Sequence, residues 1–170
     1  MLSVLLIGAN SAPSMAQDED AQMENDWIAN IYISPLGLLL GSANLSAEFK
    51  VAKSFTLGPK VSYGSVSSGT LSATNLGFGA EAAFYLGNPA FTDSWFINPF
   101  FEYISTSRNS LSSSGFGLGV NFNYGWFWES GFNIALGLGI QYRSVDYTEV
   151  GLSSISAILP SVRFSLGFAF

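Results

Sequence analysis

From Phe132 to Arg143 the chain alternates without a break: Phe132, Ile134, Leu136, Leu138, Ile140 and Tyr142 are large and apolar, while Asn133, Ala135, Gly137, Gly139, Gln141 and Arg143 are small or polar. A strand points successive side chains to opposite faces, so this segment has one greasy face and one small, polar face. The same two-residue beat returns in segments of roughly ten residues up to Phe170. A soluble barrel would put the greasy face inside. Here the other face is too small and too charged to make a dry core, and lipid is the simplest solvent for the bulky one.

The rest of the composition agrees. Charged residues make up 11% of the chain and aromatics 15%, with 18 Gly among 170 residues, which suits strands against lipid better than a surface facing water. No stretch reaches the roughly 18–20 continuous apolar residues of a transmembrane helix. One domain is expected from the length. There is no Cys and no His, so neither a disulfide nor a thiolate metal site can form.

Leu2 to Gly8 is a short apolar run, and Ser14-Met15-Ala16 is a small-x-small cleavage pattern. Residues 1–16 therefore read as a secretory signal, although the cation expected ahead of the apolar run is missing, which leaves the position of the true start open. No Cys follows the cleavage site, so no lipoprotein anchor is expected. Residues 17–26 form an acidic lead carrying Asp18, Glu19, Asp20, Glu24 and Asp26, a solvated like-charge block rather than a metal site. The net charge of −6 and the absence of a basic patch argue against nucleic acid as a partner.

Within 27–170 the alternation predicts eight strands, near 27–38, 43–52, 55–64, 76–86, 94–105, 115–128, 132–143 and 154–170. Short turns are expected at Ala52-Lys53-Ser54, Gly87 to Asp93 and Glu129-Ser130-Gly131. Longer Ser/Thr/Gly-rich loops are expected at Ser65 to Asn75, Thr106 to Ser114 and Ser144 to Ser153, with Leu39 to Ser42 a short exception. Short turns at one end and long loops at the other match the periplasmic and extracellular ends of an outer-membrane barrel. The predicted fold is an all-β, eight-stranded antiparallel transmembrane β-barrel with both termini in the periplasm.

The phase holds from strand to strand. Leu45, Phe49, Leu57, Val61, Phe78, Phe84, Trp95, Phe101, Leu118 and Phe122 are expected outward. Every charged residue of the assigned strands falls inward: Glu48, Lys50, Lys60, Glu81, Glu102, Arg143 and Arg163. Trp27, Trp95, Trp126 and Trp128 fall near the short-turn end, where an aromatic girdle belongs. On this phase Leu136→Arg should be costly and Gly137→Ser mild. Pro35, Pro59, Pro99 and Pro160 interrupt strands in a barrel that has no edge to hide a missing donor, so local register is open there.

The final strand, Val162-Arg163-Phe164-Ser165-Leu166-Gly167-Phe168-Ala169-Phe170, resembles the C-terminal signature of bacterial outer-membrane barrels. The resemblance implies that Phe164, Leu166, Phe168 and Phe170 are an assembly signal read by the barrel-assembly machinery. The segment from Ser34-Pro35-Leu36-Gly37 to Ala47-Glu48-Phe49 looks like the opening of a family of small outer-membrane proteins of unknown function. The overall plan is similar to OmpA/OmpX-type eight-stranded barrels over about residues 27–170. No peptidoglycan-binding domain of the kind that full-length OmpA-type proteins carry is seen in the sequence, so a cell-wall anchoring role is not expected.

Enzymatic outer-membrane barrels resemble one another in needing a catalytic His, which this chain lacks. A Ser-Lys device would need a pair such as Lys60 and Ser62 brought together, which their shared strand face does not by itself supply. Gly117-Leu118-Gly119 and Gly137-Leu138-Gly139 are explained by small residues in a narrow lumen rather than by a phosphate loop. No catalytic residue, cofactor or metal is expected. The inward charges admit two readings, a salt-bridged plug or the gate of a slender channel; inward Tyr32, Tyr85, Phe100 and Phe127 favour the plug. The expected function is a non-enzymatic outer-membrane protein with a structural or surface-interaction role through its extracellular loops. Its partners would be outer-membrane lipid, the assembly machinery and an extracellular ligand that the sequence leaves unnamed. A narrow pore for small solutes or ions is the alternative, and a lipocalin-like soluble binder would need the greasy face turned inward.

Overall fold

The computed structural model describes residues 26–39, 42–68, 71–108, 111–146 and 155–170. Eight strands and one short helix form: β1 (Ala29–Ile33), α1 (Pro35–Leu39), β2 (Ser42–Ala52), β3 (Phe55–Ser68), β4 (Leu71–Tyr85), β5 (Ser94–Arg108), β6 (Leu111–Phe127), β7 (Phe132–Asp146) and β8 (Ile155–Ala169). Each strand pairs antiparallel with its neighbour in sequence, and β8 closes onto β1 to complete a barrel. The expected signal sequence, most of the acidic lead and the tips of the three expected long loops lie outside the described residues.

Two expectations of extent are corrected. The predicted first strand, 27–38, ends at Ile33, and Pro35–Leu39 is helix instead. Proline has a fixed φ and no N–H, which suits the first position of a helix and spoils a strand. Ser42 Oγ ties the helix back by donating to the Gly37 carbonyl at 3.1 Å. Two of the three Ser/Thr-rich segments expected as long loops, 65–75 and 106–114, are largely strand: β3 and β4 pair out to Ser68↔Leu71, and β5 and β6 out to Arg108↔Leu111. Ladder hydrogen bonds do not require an apolar face, so a hairpin can continue after the alternation has faded.

The stagger of the barrel follows from the registers. From Tyr32 the rungs lead through Ser46, Lys60, Gly79, Glu102, Gly117 and Arg143 to Ala157 on β8, whereas the direct β8 partner of Tyr32 is Gly167. The circuit thus slips by ten residues between Ala157 and Gly167. For eight strands such a shear tilts the strands by about 43° and leaves an interior that side chains fill. The close packing shows at Gly79, where a Cβ would run into the carbonyl of Phe101.

The prolines are absorbed locally. On β3, Pro59 pairs with Ala80, while the ladder to β2 skips from Ser46↔Lys60 to Phe49↔Leu57. On β5, the ladder to β4 skips from Glu81↔Phe100 to Phe84↔Ile97 around Pro99. There the Asn98 side-chain amide donates to the Ala82 carbonyl at 2.7 Å, replacing the donor that Pro99 lacks. Pro160 pairs with Ile140 of β7 and lies on the part of β8 that β1 does not reach.

The barrel is apolar outside and polar inside. Leu45, Phe49, Leu57, Val61, Phe78, Phe84, Trp95, Phe101, Leu118, Phe122, Leu138 and Val162 are exposed on its outer wall. Phe55 and Tyr124, which share the outward phase of their strands, are half-buried against neighbouring rings. Glu48, Glu81 and Glu102 are 2%, 3% and 4% exposed, an inversion of the usual globular pattern. Among the described residues no helix is long and apolar enough to cross a membrane.

Candidate functional site in the barrel lumen

The short-turn end is closed by aromatic rings. Tyr85 and Phe96 stack at 5.1 Å between centroids, and Phe91 and Phe127 pack against Tyr85 at 6.2 and 6.5 Å. Phe91 comes from the β4–β5 turn, which folds back into the barrel mouth. It is fully buried, and its φ of 66° is one that side-chain-bearing residues rarely adopt. The neighbouring Ala90 N–H donates to the Lys53 carbonyl at 2.6 Å. The sequence predicts a plain turn over Gly87 to Asp93, and two apolar residues together in it, Ala90 and Phe91, are the signal that it folds inward.

Above this floor sit Glu48 from β2, Glu81 from β4 and Arg163 from β8. Arg163 Nη1 donates to Glu81 Oε2 at 3.2 Å and to Asn98 Oδ1 at 2.5 Å, and Nη2 lies 3.9 Å from Glu48 Oε1. The guanidinium also lies 4.5 Å from the centroid of the Tyr32 ring. The Tyr32 hydroxyl reaches Glu48 Oε1 at 2.6 Å and is also within bonding reach of Glu81 Oε1. Having one proton, it donates to one carboxylate at a time. Thr56 donates to the remaining Glu48 oxygen at 3.1 Å. The cluster is therefore one connected network rather than isolated pairs.

The other inward charges border it, Lys60, Glu102 and Arg143 lining one chamber with Glu81 and Arg163. Glu102 accepts from Ser62 and lies 4.0 Å from Arg143, whose side chain is 44% exposed. The Lys60 ammonium stands 4.4 Å over the Phe100 ring. Lys50 is half-buried opposite Thr56, nearer the short-turn end. The structure thus joins Glu48, Glu81 and Arg163, pairs Glu102 with Arg143, and sets Lys60 over Phe100 on the wall of the chamber that Glu81 also lines. Lys60 and Ser62 point from one strand, but the Ser62 hydroxyl is engaged with Glu102.

Five buried amides join the inward charges in the lumen. Asn98, Asn121, Asn123, Asn30 and Asn133 are all 5% exposed or less, and Asn30 and Asn133 bond across the β1–β8–β7 side. They keep the inward phase of their strands, which was the signal available. Three buried polar atoms among the described residues make no hydrogen bond: Asn121 Oδ1, Asn123 Oδ1 and Arg163 Nε. Over the charge cluster lies a polar chamber of about 200 Å³, lined among others by Lys60, Phe100, Asn121, Gln141 and Arg163.

The remaining named residues fall at the wall and the seam. Trp95 stacks on Phe122 at 4.8 Å, Tyr124 meets Trp126 at 4.8 Å, and Trp128 meets Phe132 at 5.4 Å. These residues, with Trp27 just before β1, lie toward the short-turn end. Leu166 and Phe168 pair with Ile33 and Ile31, and the Phe170 carbonyl accepts from the N–H groups of Ile28 and Ala29 at 2.9 and 3.0 Å. Phe164 lies farther up β8, opposite Leu136.

Fold and lumen together define a closed eight-stranded antiparallel β-barrel whose interior is filled by aromatic rings and a charged hydrogen-bonded network. Comparison with protein-family models, with curated proteins and with solved structures gave no match. Among the described residues no group of three or more carboxylates, His or Cys is disposed to hold a metal ion.

Proposed function

We propose that the chain is a non-enzymatic outer-membrane β-barrel, of the OmpA/OmpX type in plan, that serves a structural or surface-interaction role through its long hairpins. The observation that carries this reading is the exposed apolar wall around a charged interior. Soluble monomers rarely expose contiguous apolar patches beyond a few hundred Å². On β6 the outward run Phe116, Leu118, Val120, Phe122, Tyr124 and Trp126 covers ten residue steps. At about 3.3 Å per residue and a tilt of about 43°, that is roughly 24 Å of height, close to the apolar band of an outer-membrane barrel. Aromatic residues gather at the short-turn end, which is the periplasmic end in this reading.

In the same reading residues 1–16 are removed on export, 17–26 remain as an acidic periplasmic lead, and the β8 aromatics engage the assembly machinery. The paired hairpin ends near Ser68, Arg108 and Asp146 present the outer contact surface. The lumen is closed: rings fill one end, and Arg163 with Glu48 and Glu81 fills the middle. Reconstituted in planar bilayers, the protein should carry little steady current. Sustained wild-type current, altered by Glu102→Gln, would replace the plug by the narrow-pore alternative.

A further inference from the structure

The wall of this barrel is held unevenly at its seam. β8 pairs with β1 only from Leu166 to Ala169, because β1 ends at Ile33. On its other side β8 pairs with β7 all the way from Phe168 back to Ile155. Ala29 and Phe170 bond to each other in both directions, at 3.0 and 2.9 Å. Reciprocal bonds recur at every second residue of an antiparallel pair, so Ile31 with Phe168 and Ile33 with Leu166 are the next two. The one after would join Phe164 to Pro35, which has no N–H to give. There the chain turns into α1, and among the described residues no backbone bond runs from α1 to β8.

Inside the barrel the same short strand is tied by side chains. Asn30 and Tyr32 are the inward residues of β1, and both are buried. The Asn30 and Asn133 side-chain amides bond to each other, at 2.9 Å in one direction and 3.4 Å in the other. Asn133 belongs to β7, and β8 lies between β7 and β1, so the pair reaches across a whole strand. It crosses β8 over Gly167, where a Cβ would stand 2.5 Å from Asn133 Oδ1 and 2.9 Å from Asn30 Oδ1. A side chain at residue 167 would therefore push the two amides apart. The Asn133 amide is braced in turn by donating to the Gly131 carbonyl at 3.1 Å. Farther up β1, the Tyr32 ring faces the guanidinium of Arg163 on β8.

We infer that the β1–β8 seam is a joint that opens sideways, and that the Asn30–Asn133 pair over Gly167 is the latch that keeps it shut. The ladder at the seam is short, and Pro35 prevents it from growing. The latch ties β1 to the far side of β8, so parting β1 from β8 must break it. Breaking it leaves two buried amides without partners, which is what gives so small a contact its hold. Movement along the barrel axis is opposed by the aromatic floor and by the Arg163 network, so the seam is where this barrel yields. The latch goes beyond the role proposed above and holds whether the wall faces lipid or detergent.

Hydrogen exchange read amide by amide, on the full chain in detergent micelles, tests it. On β8 the even-numbered N–H groups face β1 and the odd-numbered ones face β7, as Phe170 bonding to Ala29 and Ala169 bonding to Gly131 show. In the wild type, Leu166 and Phe168 should exchange faster than Arg163 and Ser165 of the same strand. Asn133→Ala and Gly167→Ala should each speed exchange at Ile31, Ile33, Leu166 and Phe168 by about tenfold, the effect of about one lost hydrogen bond, and leave Arg163 and Ser165 unchanged. Gly167→Ala removes no polar group, so its effect reports the crossing itself. The chain has no cysteine, so a single disulfide can be placed between Ile31→Cys and Phe168→Cys, which stand opposite each other across the seam. That disulfide should restore slow exchange to both variants. It also closes the ring in a variant that does not refold without it, and its reduction should then release the four seam amides first. Equal exchange of odd and even amides along β8 in the wild type, acceleration spread over every strand, or acceleration that the disulfide leaves untouched overturns the latch.

Discussion

Arg163 holds two carboxylates together, so its loss is felt by both. Arg163→Met leaves Glu48 and Glu81 facing each other across the Tyr32 hydroxyl. Stranding a buried charge costs about 3–5 kcal/mol. Glu81→Gln added to Arg163→Met should recover much of that loss, read by urea titration in lipid vesicles. Additive losses would mean that no closed network exists. A second residue-scale test sets the two faces of β6 against each other at one height. Leu118→Arg should cost about 2–4 kcal/mol near the middle of the apolar band, whereas Gly117→Ser should cost much less. A Cβ at Gly117 meets nothing nearer than 3.8 Å, while one at Gly137 presses on the Asn123 side chain and the Phe122 carbonyl. Gly137→Ser, the mild change expected from phase alone, is therefore a poor control. If the same titration ranks Gly117→Ser as the costlier change, the wall does not face lipid. At this scale the inward charges were legible, because alternation fixes which face a residue is on. Which charge meets which was not, because Arg163 reaches Glu81 and Glu48 across the lumen rather than along any strand.

Among the elements, the β8–β1 seam depends on backbone as much as on side chains. Phe170 is 54% exposed, but its backbone accepts from Ile28 and Ala29 and donates to the Ala29 carbonyl at 2.9 Å. Phe170→Ala should keep those bonds and refold in lipid with nearly unchanged stability, yet accumulate poorly in the outer membrane if the ring is an assembly signal. Deleting Phe170 should lower both stability and accumulation. Heat-modifiable barrel in cells and urea midpoints in vesicles give the two readouts; normal accumulation of Phe170→Ala would remove the assembly reading. Strand identity was legible in the elements that keep the two-residue beat, such as β6 and β7. It was missed at Pro35–Leu39, where Leu36, Leu38 and Leu39 fit a strand or a helix equally well and the proline decided. The polar ends of β3 to β6 were read as loops, because a ladder in water leaves no hydrophobic period to see.

For the molecule as a whole, strand number and order followed from counting alternating segments joined by turns. The ten-residue stagger did not, since each register depends on how two strands meet rather than on either strand alone. That sequential order also shapes how the ring comes to exist. Seven of the eight pairings join strands adjacent in the chain, so each closes a local hairpin. The eighth must bring Asn30 to Ala169. By loop-closure entropy, joining ends that far apart costs about 2 kcal/mol more than closing a ten-residue hairpin. Among the described residues, the short ladder from Asn30↔Ala169 to Ile33↔Leu166 and the Phe170 backbone bonds to Ile28 and Ala29 offset it. The seam is thus the slow, non-local step of an otherwise local folding problem. Until it closes, β8 is a bare edge, and a second chain waiting at the same stage offers the same β1 to fill it.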